Sequence, residues 1–311
     1  MTITNPTRLE ELRAAEAWTP QDAQDPLSVH PLTDRDESEV LTFLAERPLH
    51  TVVMAGHIRD NGMESPLNRG TFHAARDGRS RLEGVALIGH ATLVESRSEA
   101  ALAAFARLAQ SCQTAHLMMG EQEKIERFWC YYASPGQRPR RVCRELLMEQ
   151  RWPVEALEPV ARLRHATLAD LGPVMHVQAE MAQSESGVNP LEADPEGFRL
   201  RCARRVEQGR VWVWTEGGQL IFKADVISDT PEVIYLEGVH VDARVRGLGY
   251  GARCVSQLSR TLLARTNALC VLVNEQSQRA RSFFERAGYK LRDYYDTVFL
   301  ERGGGGAQVL S

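Results

Sequence analysis

Three glycines at alternate positions, Gly247, Gly249 and Gly251, stand in the stretch Val241-Asp242-Ala243-Arg244-Val245-Arg246-Gly247-Leu248-Gly249-Tyr250-Gly251-Ala252. Glycine accepts positive φ and lets the main chain approach a ligand without a Cβ clash. Where a strand turns into a helix, such residues present free N–H groups and the positive end of the helix dipole, which suits phosphate or pyrophosphate. Two common phosphate loops are excluded. A P-loop requires lysine after its glycines, and none follows here. A dinucleotide fingerprint requires Gly-x-Gly-x-x-Gly and an acid roughly 20 residues on. Here the spacing is Gly-x-Gly-x-Gly, and Asn267-Ala268-Leu269-Cys270 holds no acid. The pattern that remains is Arg-x-x-Gly-x-Gly, read as Arg246, Gly249 and Gly251. A glycine-rich turn with no ligand is the alternative.

The elements around this stretch must position it. Residues 233–240 are mostly apolar or β-branched and predict a strand. Leu248, Ala252, Val255, Leu258 and Leu262 recur at helical spacing, and residues 269–273 predict the next strand. A strand–helix–strand crossover implies parallel pairing of 235–241 with 269–273. Ligands of such sheets bind outside the carboxyl ends of the strands, where the glycines lie.

The same order of elements reads twice. Thr33 with Asp36, and Thr167 with Asp170, have the form of a helix start. In the first half a helix carrying Val40, Leu41 and Leu44 precedes a hairpin over 71–76 and 81–90. A strand at 91–94, a helix over 99–110, a strand at 114–119, a helix over 124–132 and a last strand at 144–149 follow. In the second half the helix carries Leu168, Leu171, Val174 and Val177, and 184–195 reads as a loop. A helix at 198–208, a hairpin over 210–215 and 219–227, the glycine-turn unit, a helix over 277–287 and two closing strands at 289–292 and 297–300 follow. The resulting division is a lead-in over 1–27 with a short helix at 8–18, a first domain over 28–150, a proline-bearing linker over 151–159, a second domain over 160–302 and a tail over 303–311.

At 311 residues the chain suits two domains. Its hydrophobic content of 43% and charged content of 25% are those of a globular protein. A net charge of −4 gives no reason to expect nucleic-acid binding. No apolar run reaches membrane-spanning length, and no signal peptide is seen, so a cytoplasmic protein with no membrane partner is expected. Six cysteines without paired spacing argue against disulfides and against zinc or another metal.

Residues 163–300 resemble the GNAT superfamily, acyltransferases that use acetyl-coenzyme A. The likeness rests on Arg246-x-x-Gly249-x-Gly251, on Tyr235-Leu236-Glu237-Gly238-Val239-His240-Val241, and on Asn274 through Gly288-Tyr289 with Ala280 and Phe284 at the family's spacings. The first half resembles a degenerate copy. Its Glu95-Ser96-Arg97-Ser98-Glu99 has acids where phosphate would sit, and acids repel it. The resemblance implies two α/β (α+β) domains, each a mixed, mostly antiparallel twisted sheet flanked by helices, with a parallel strand pair splayed at the cofactor site.

It also implies roles. Main-chain groups of Val239, His240 and Val241 would pair with the pantetheine arm. Those of Gly247, Leu248, Gly249, Tyr250, Gly251 and Ala252 would hold the pyrophosphate, with Arg246 as ionic partner. Asn274 would orient pantetheine, a helix cap being its bland alternative, and Arg281 would face the nucleotide end. An alkylamine has a pKa of ~10, so a base must take its proton. Glu237 is the candidate, unless it only binds the substrate's charge. Strand alternation puts Tyr235, Glu237, Val239 and Val241 on one face if no bulge intervenes. A main-chain N–H at Val241 would polarise the thioester carbonyl. Many family members have Tyr where this chain has Phe284, so the proton for the leaving thiolate must come from elsewhere or not at all. Tyr250, Tyr289, Tyr294 and Tyr295 are the alternatives. The acceptor would be a small-molecule amine or a peptide, and the protein a monomer or homodimer. A non-catalytic acyl-coenzyme A sensor is the rival reading. His116, Trp129, Tyr131 and Tyr132 are candidate cleft residues, though helical aromatics are more often core.

Overall fold

Thr33 and Thr167 begin the two halves in the same way. Thr33 N and Oγ1 lie 2.9 and 3.0 Å from Asp36 Oδ2, and Thr167 N and Oγ1 lie 2.8 and 3.1 Å from Asp170 Oδ2. Each box satisfies donors that a helix start leaves open, and a short 3-10 turn leads into each helix. The computed structural model describes residues 27–154 and 158–301. The expected helix at 8–18 and the tail at 303–311 lie outside them.

The chain divides into two compact units, one of residues up to Arg144 together with those from Tyr294 on, the other of Glu145–Asp293. Unit 1 contains β1 (Ser28–Pro31), α1 (Glu37–Leu44), α2 (Pro48–Asn61), β2 (Gly70–Arg76), β3 (Leu82–Gly89), β4 (Ala91–Ser96), α3 (Glu99–Gln110), β5 (Leu117–Glu121) and α4 (Gln122–Tyr132). Helix α2 was not expected. Its buried residues Thr51, Val52, Met54, Gly56 and Ile58 lie on more than one side, so no single apolar stripe marks it in the sequence.

β6 (Arg141–Gln150) passes from unit 1 into unit 2, which continues with β7 (Arg164–His165), α5 (Leu171–Ser186), α6 (Pro190–Ala193), α7 (Pro195–Glu207), β8 (Val211–Glu216), β9 (Gln219–Asp229), β10 (Ile234–Val241), α8 (Tyr250–Leu263), β11 (Leu269–Asn274) and α9 (Gln278–Arg286). β12 (Lys290–Phe299) returns to unit 1. The segment expected to be a loop, 184–195, is mostly helical. Its prolines occupy the first positions of α6 and α7, where a missing N–H costs nothing, and Asn189 and Asp194 cap those helices. The two closing strands are one. Asp296, between the two expected strands, is buried and accepts from Arg144 Nε at 3.2 Å.

Within the two units the strands follow equivalent orders, β1-β2-β3-β4-β5-β12 and β7-β8-β9-β10-β11-β6. Each contains one parallel pair, β4 with β5 and β10 with β11, among antiparallel ones. The sixth strand of each comes from the other half of the sequence. Residues 145–150, expected with the first half, pair with β11, and 295–299, expected with the second, pair with β5. In unit 2, Val211 and Val213 of β8 pack with Val174, Val177 and Val206 of α5 and α7, while Trp214 packs with Leu258 and Leu262 of α8. Helices thus cover both faces of that sheet. Among the described residues no helix is long and apolar enough to cross a membrane.

Candidate functional site in the second unit

β10 and β11 pair in parallel at Ile234/Leu269, Tyr235/Cys270 and Leu236/Val271. Both strands run on, to Val241 and Asn274, but among the described residues the parallel ladder stops at Leu236. The strands part there, and the β10 edge over 237–241 has no ladder partner on β11. On its other edge β10 stays paired with β9, Glu237 to Asp225 and His240 to Lys223, so Gly238 and Val239 together oppose Ala224 alone. This is a β-bulge, and Gly238 adopts φ +61° to make it. A Cβ at Gly238 would lie 2.7 Å from Lys223 Nζ and 3.0 Å from Gln178 Oε1. The bulge corrects the simple alternation. With an extra residue inserted, Tyr235 and Glu237 do not share a face with Val239 and Val241 in the regular way.

After β10, residues Ala243–Val245 make a 3-10 turn, with Arg244 N donating to Asp242 Oδ1 at 2.8 Å. Gly247 and Gly249 both adopt φ +82°. A Cβ at either would meet nothing within 4 Å. These two glycines answer the hand of the backbone and leave their outer side open. Gly251 differs, since its Cβ would come 2.8 Å from Val241 Cγ2. It lets α8 seat against the strand end. Gly249 caps α8, and the first helical bond runs from Arg253 N to Gly249 O at 3.1 Å. The N–H groups of Tyr250, Gly251 and Ala252 therefore lack partners within the helix and carry its dipole's positive end.

The named side chains are distributed as follows. Arg246 is exposed, with Nε donating to Val241 O at 2.7 Å. Arg244 is engaged by Asp242. Leu248 is exposed beside the turn. Asn274 ends β11, and its Oδ1 accepts from Gln276 N at 2.9 Å. The cap of α9 is Ser277, whose Oγ accepts from Ala280 N at 3.3 Å, so Asn274 is not that cap. Arg281 Nε donates to Glu285 Oε1 on α9 at 2.9 Å. Burial and the neighbouring Arg246 and Lys223 push His240 below its ordinary value, leaving it neutral at pH 7.

Glu237 keeps partial solvent access at the bulge. Burial pushes its carboxyl above the usual range against the pull of Arg205, Asp225 pushes it further, and Lys223 opposes. Sequence reasoning missed this surrounding set. Lys223 is fully buried, 2.8 Å from Asp225 Oδ1 in an ionic contact, and donates to Gln178 Oε1 at 2.7 Å and to Gly238 O at 3.4 Å. Arg205 donates to Asp225 Oδ2 at 3.0 Å. The available signal was Lys223-x-Asp225 inside the apolar run Leu220 to Val226, because buried charges persist only when paired.

The proton-donor candidates are also placed. Phe284 is buried against Phe283 and Tyr289, with ring centroids 5.2 and 5.3 Å away. Tyr289 is buried with its hydroxyl 3.4 Å from Ser259 Oγ, and burial raises its pKa. Tyr250 packs edge-on against Trp214 at the start of α8. Tyr294 and Tyr295 belong to unit 1, where Tyr295 OH contacts His50 Nδ1 at 3.0 Å. Of the four, Tyr250 alone adjoins the glycine turn.

In unit 1 the equivalent parallel pair also parts early, after Ala91/Leu117 and Thr92/Met118. There the strand ends are tied by charge. Arg47 Nη1 donates to Glu95 Oε1 at 3.1 Å and to Glu121 Oε2 at 2.9 Å, and Lys124 Nζ lies 2.9 Å from both carboxylates. Trp129 and Tyr132 are core, His116 stacks on His90, and Tyr131 OH donates to Glu99 at 2.9 Å. Burial pushes the Glu121 carboxyl up, yet Arg47 and Lys124 bring it to about 2 from an ordinary 4.5. A carboxyl depressed by folding contributes stability above its unfolded value and loses it as pH falls toward the folded one. Acid unfolding should therefore cost wild type on the order of 2–3 kcal/mol more between these limits than Glu121→Gln. Denaturant titrations of both proteins at a series of pH values check this, and parallel pH curves would refute it.

Residues 226–298 match the family described as FR47-like protein. No curated protein matches the chain. Among solved structures, a Drosophila protein is similar at a TM-score of 0.65 and 13% identity, covering 88% of this chain and 98% of that one. A tandem GNAT protein from the clavulanic acid biosynthesis pathway is similar at 0.56 and 14% identity, over 90% of this chain and 100% of that one. A GCN5-related N-acetyltransferase from Sphaerobacter thermophilus is similar at 0.54 and 12% identity, over 91% and 98%.

Proposed function

We propose that the chain is a GNAT protein, from the fold it shares with solved GNAT structures and the FR47-like match over 226–298, and that unit 2 is an acetyl-coenzyme A-dependent N-acetyltransferase. The observation that carries this reading is the parting of β10 from β11 directly beside an open glycine turn. The residues fit the cosubstrate. A strand edge over 239–241 with no ladder partner on β11 can take an extended amide-bearing arm as an added strand. The 247–252 turn offers the N–H groups of a helix N-terminus and, at Gly247 and Gly249, positions whose outer side is open, as a pyrophosphate needs.

Bound there, acetyl-coenzyme A supplies a thioester whose acyl carbon is open to amine attack. The chain's own part is to hold and to move protons. Val239, His240 and Val241 bind the arm through main chain, and Arg246, swinging from Val241 O, meets the phosphates. Ionised Glu237 takes the proton of the incoming amine, directly or through water, and the Val241 N–H donates to the acyl oxygen. Phe284 gives no proton to the departing thiolate, whose pKa of ~8.5 lets it leave unaided. The acceptor is an amine of a small molecule or peptide.

Phe284 also favours one rival, an acyl-coenzyme A sensor. Incubation with acetyl-coenzyme A and a panel of small amines and peptides separates the two. Thiol release with at least one acceptor is the expected result. Calorimetric binding with no release across the panel would favour the sensor, and no binding would remove both.

A further inference from the structure

Gly238 opens the bulge, and an ammonium stands where its side chain would be. Lys223 Nζ lies 2.7 Å from the position of a Cβ on that glycine, donates to the Gly238 carbonyl at 3.4 Å, and is held from behind by Gln178 Oε1 at 2.7 Å and Asp225 Oδ1 at 2.8 Å. A fully buried ammonium is costly unless every contact serves it, and here the contacts come from α5, β9 and β10. Its register partner on β10 is His240, and that of Asp225 is Glu237, so the ion pair spans the stretch where the ladder gains its extra residue.

We propose that Lys223 is a positioning residue, whose ammonium beneath Gly238 holds the β10 bulge and so aims both Glu237 and the main-chain edge of residues 239–241. The inference rests on the reading of unit 2 as an acyl-coenzyme A site. It adds a residue that touches neither cosubstrate nor acceptor yet sets the geometry of both. Without the pin, the bulge is free to relax into ordinary pairing with β9. That would turn the edge groups and return Glu237 to simple alternation. Lys223 acts on Glu237 through charge as well. Glu237 faces Arg205 from α7 and Asp225 and Lys223 from β9, with the Tyr235 phenol on its own strand. These are two cations and, with Glu237 ionised, two anions.

Lys223→Met tests the pin, because it removes the ammonium and leaves Asp225 paired with Arg205. Acetyl-coenzyme A affinity, measured by calorimetry, should fall about tenfold, the worth of a main-chain hydrogen bond or two. The acid limb of the kcat profile should move up by about one pH unit, because a cation favouring ionised Glu237 is gone. A merely structural lysine would lower the melting temperature and move neither. Gly238→Ala is the second variant, since its methyl group takes the ammonium's place, and it should weaken binding too. A folded Lys223→Met protein with wild-type affinity and an unmoved acid limb overturns the inference. So does Gly238→Ala with wild-type affinity, should Lys223→Met fail to fold. Wild type that does not bind acetyl-coenzyme A is a different result, which overturns the parent reading and this inference together.

Discussion

Replacing Gly249 by valine is expected to abolish measurable uptake of acetyl-coenzyme A while leaving the protein folded. Gly249 sits at φ +82°, outside the range a β-branched residue tolerates. The strain of such a residue is about 1–3 kcal/mol, enough to drive the turn back to negative φ. The turn would then swing its N–H groups out of line at the cap of α8. Each hydrogen bond to a charged group is worth roughly 1.5–3 kcal/mol, so losing two weakens binding by about a hundredfold or more. The fold should survive, because a Cβ at this position meets nothing within 4 Å and the core of unit 2 lies elsewhere. Calorimetry reads the affinity and circular dichroism the fold. A folded variant with an unchanged dissociation constant would take the turn out of the site.

Replacing Glu237 by glutamine is the second large effect. Loss of a placed general base lowers kcat by roughly 10²–10⁴-fold. Acetyl-coenzyme A affinity should be unaltered, because Glu237 lies on the acceptor side of the bulge in this reading. The pH dependence follows from the direction of its shift. Burial raises the Glu237 pKa, with Asp225 adding to it and Arg205 and Lys223 opposing, so the wild-type rate should rise with pH through a limb above the 4.5 of an ordinary glutamate. The variant should lack that limb. Stability moves oppositely. A carboxyl raised by folding binds its proton more tightly folded than unfolded, so native stability falls as pH climbs from 4.5 through the folded value. Removing the charge relieves this, and Glu237→Gln should melt slightly above wild type at neutral pH. A variant with wild-type kcat but a raised KM would instead mark Glu237 as a binder of substrate charge.

Local signals carried most of the element pattern. Thr33 and Thr167 with their acids three residues on, the hairpins over 71–90 and 210–227, and the helix over 99–110 all stand where the sequence puts them. The misses have local causes too. Helix α2 buries residues on several sides, and the prolines at 190 and 195 begin helices instead of ending them. The site divides along the same line. The glycine turn is legible because it needs only residues that tolerate positive φ. The bulge beneath Glu237 is not, because Gly238 answers to Lys223, fifteen residues earlier on another strand.

By itself the sequence marked most of the strands and helices and the glycine turn, since those follow from periodicity, capping and φ preference within a few residues. Only the tertiary structure decided that 145–150 pairs with β11 and 295–299 with β5, and that a buried lysine sits under the strand that parts from its neighbour. A strand's sequence states which face it buries, but an edge of backbone amides pairs with whichever edge the rest of the chain brings to it.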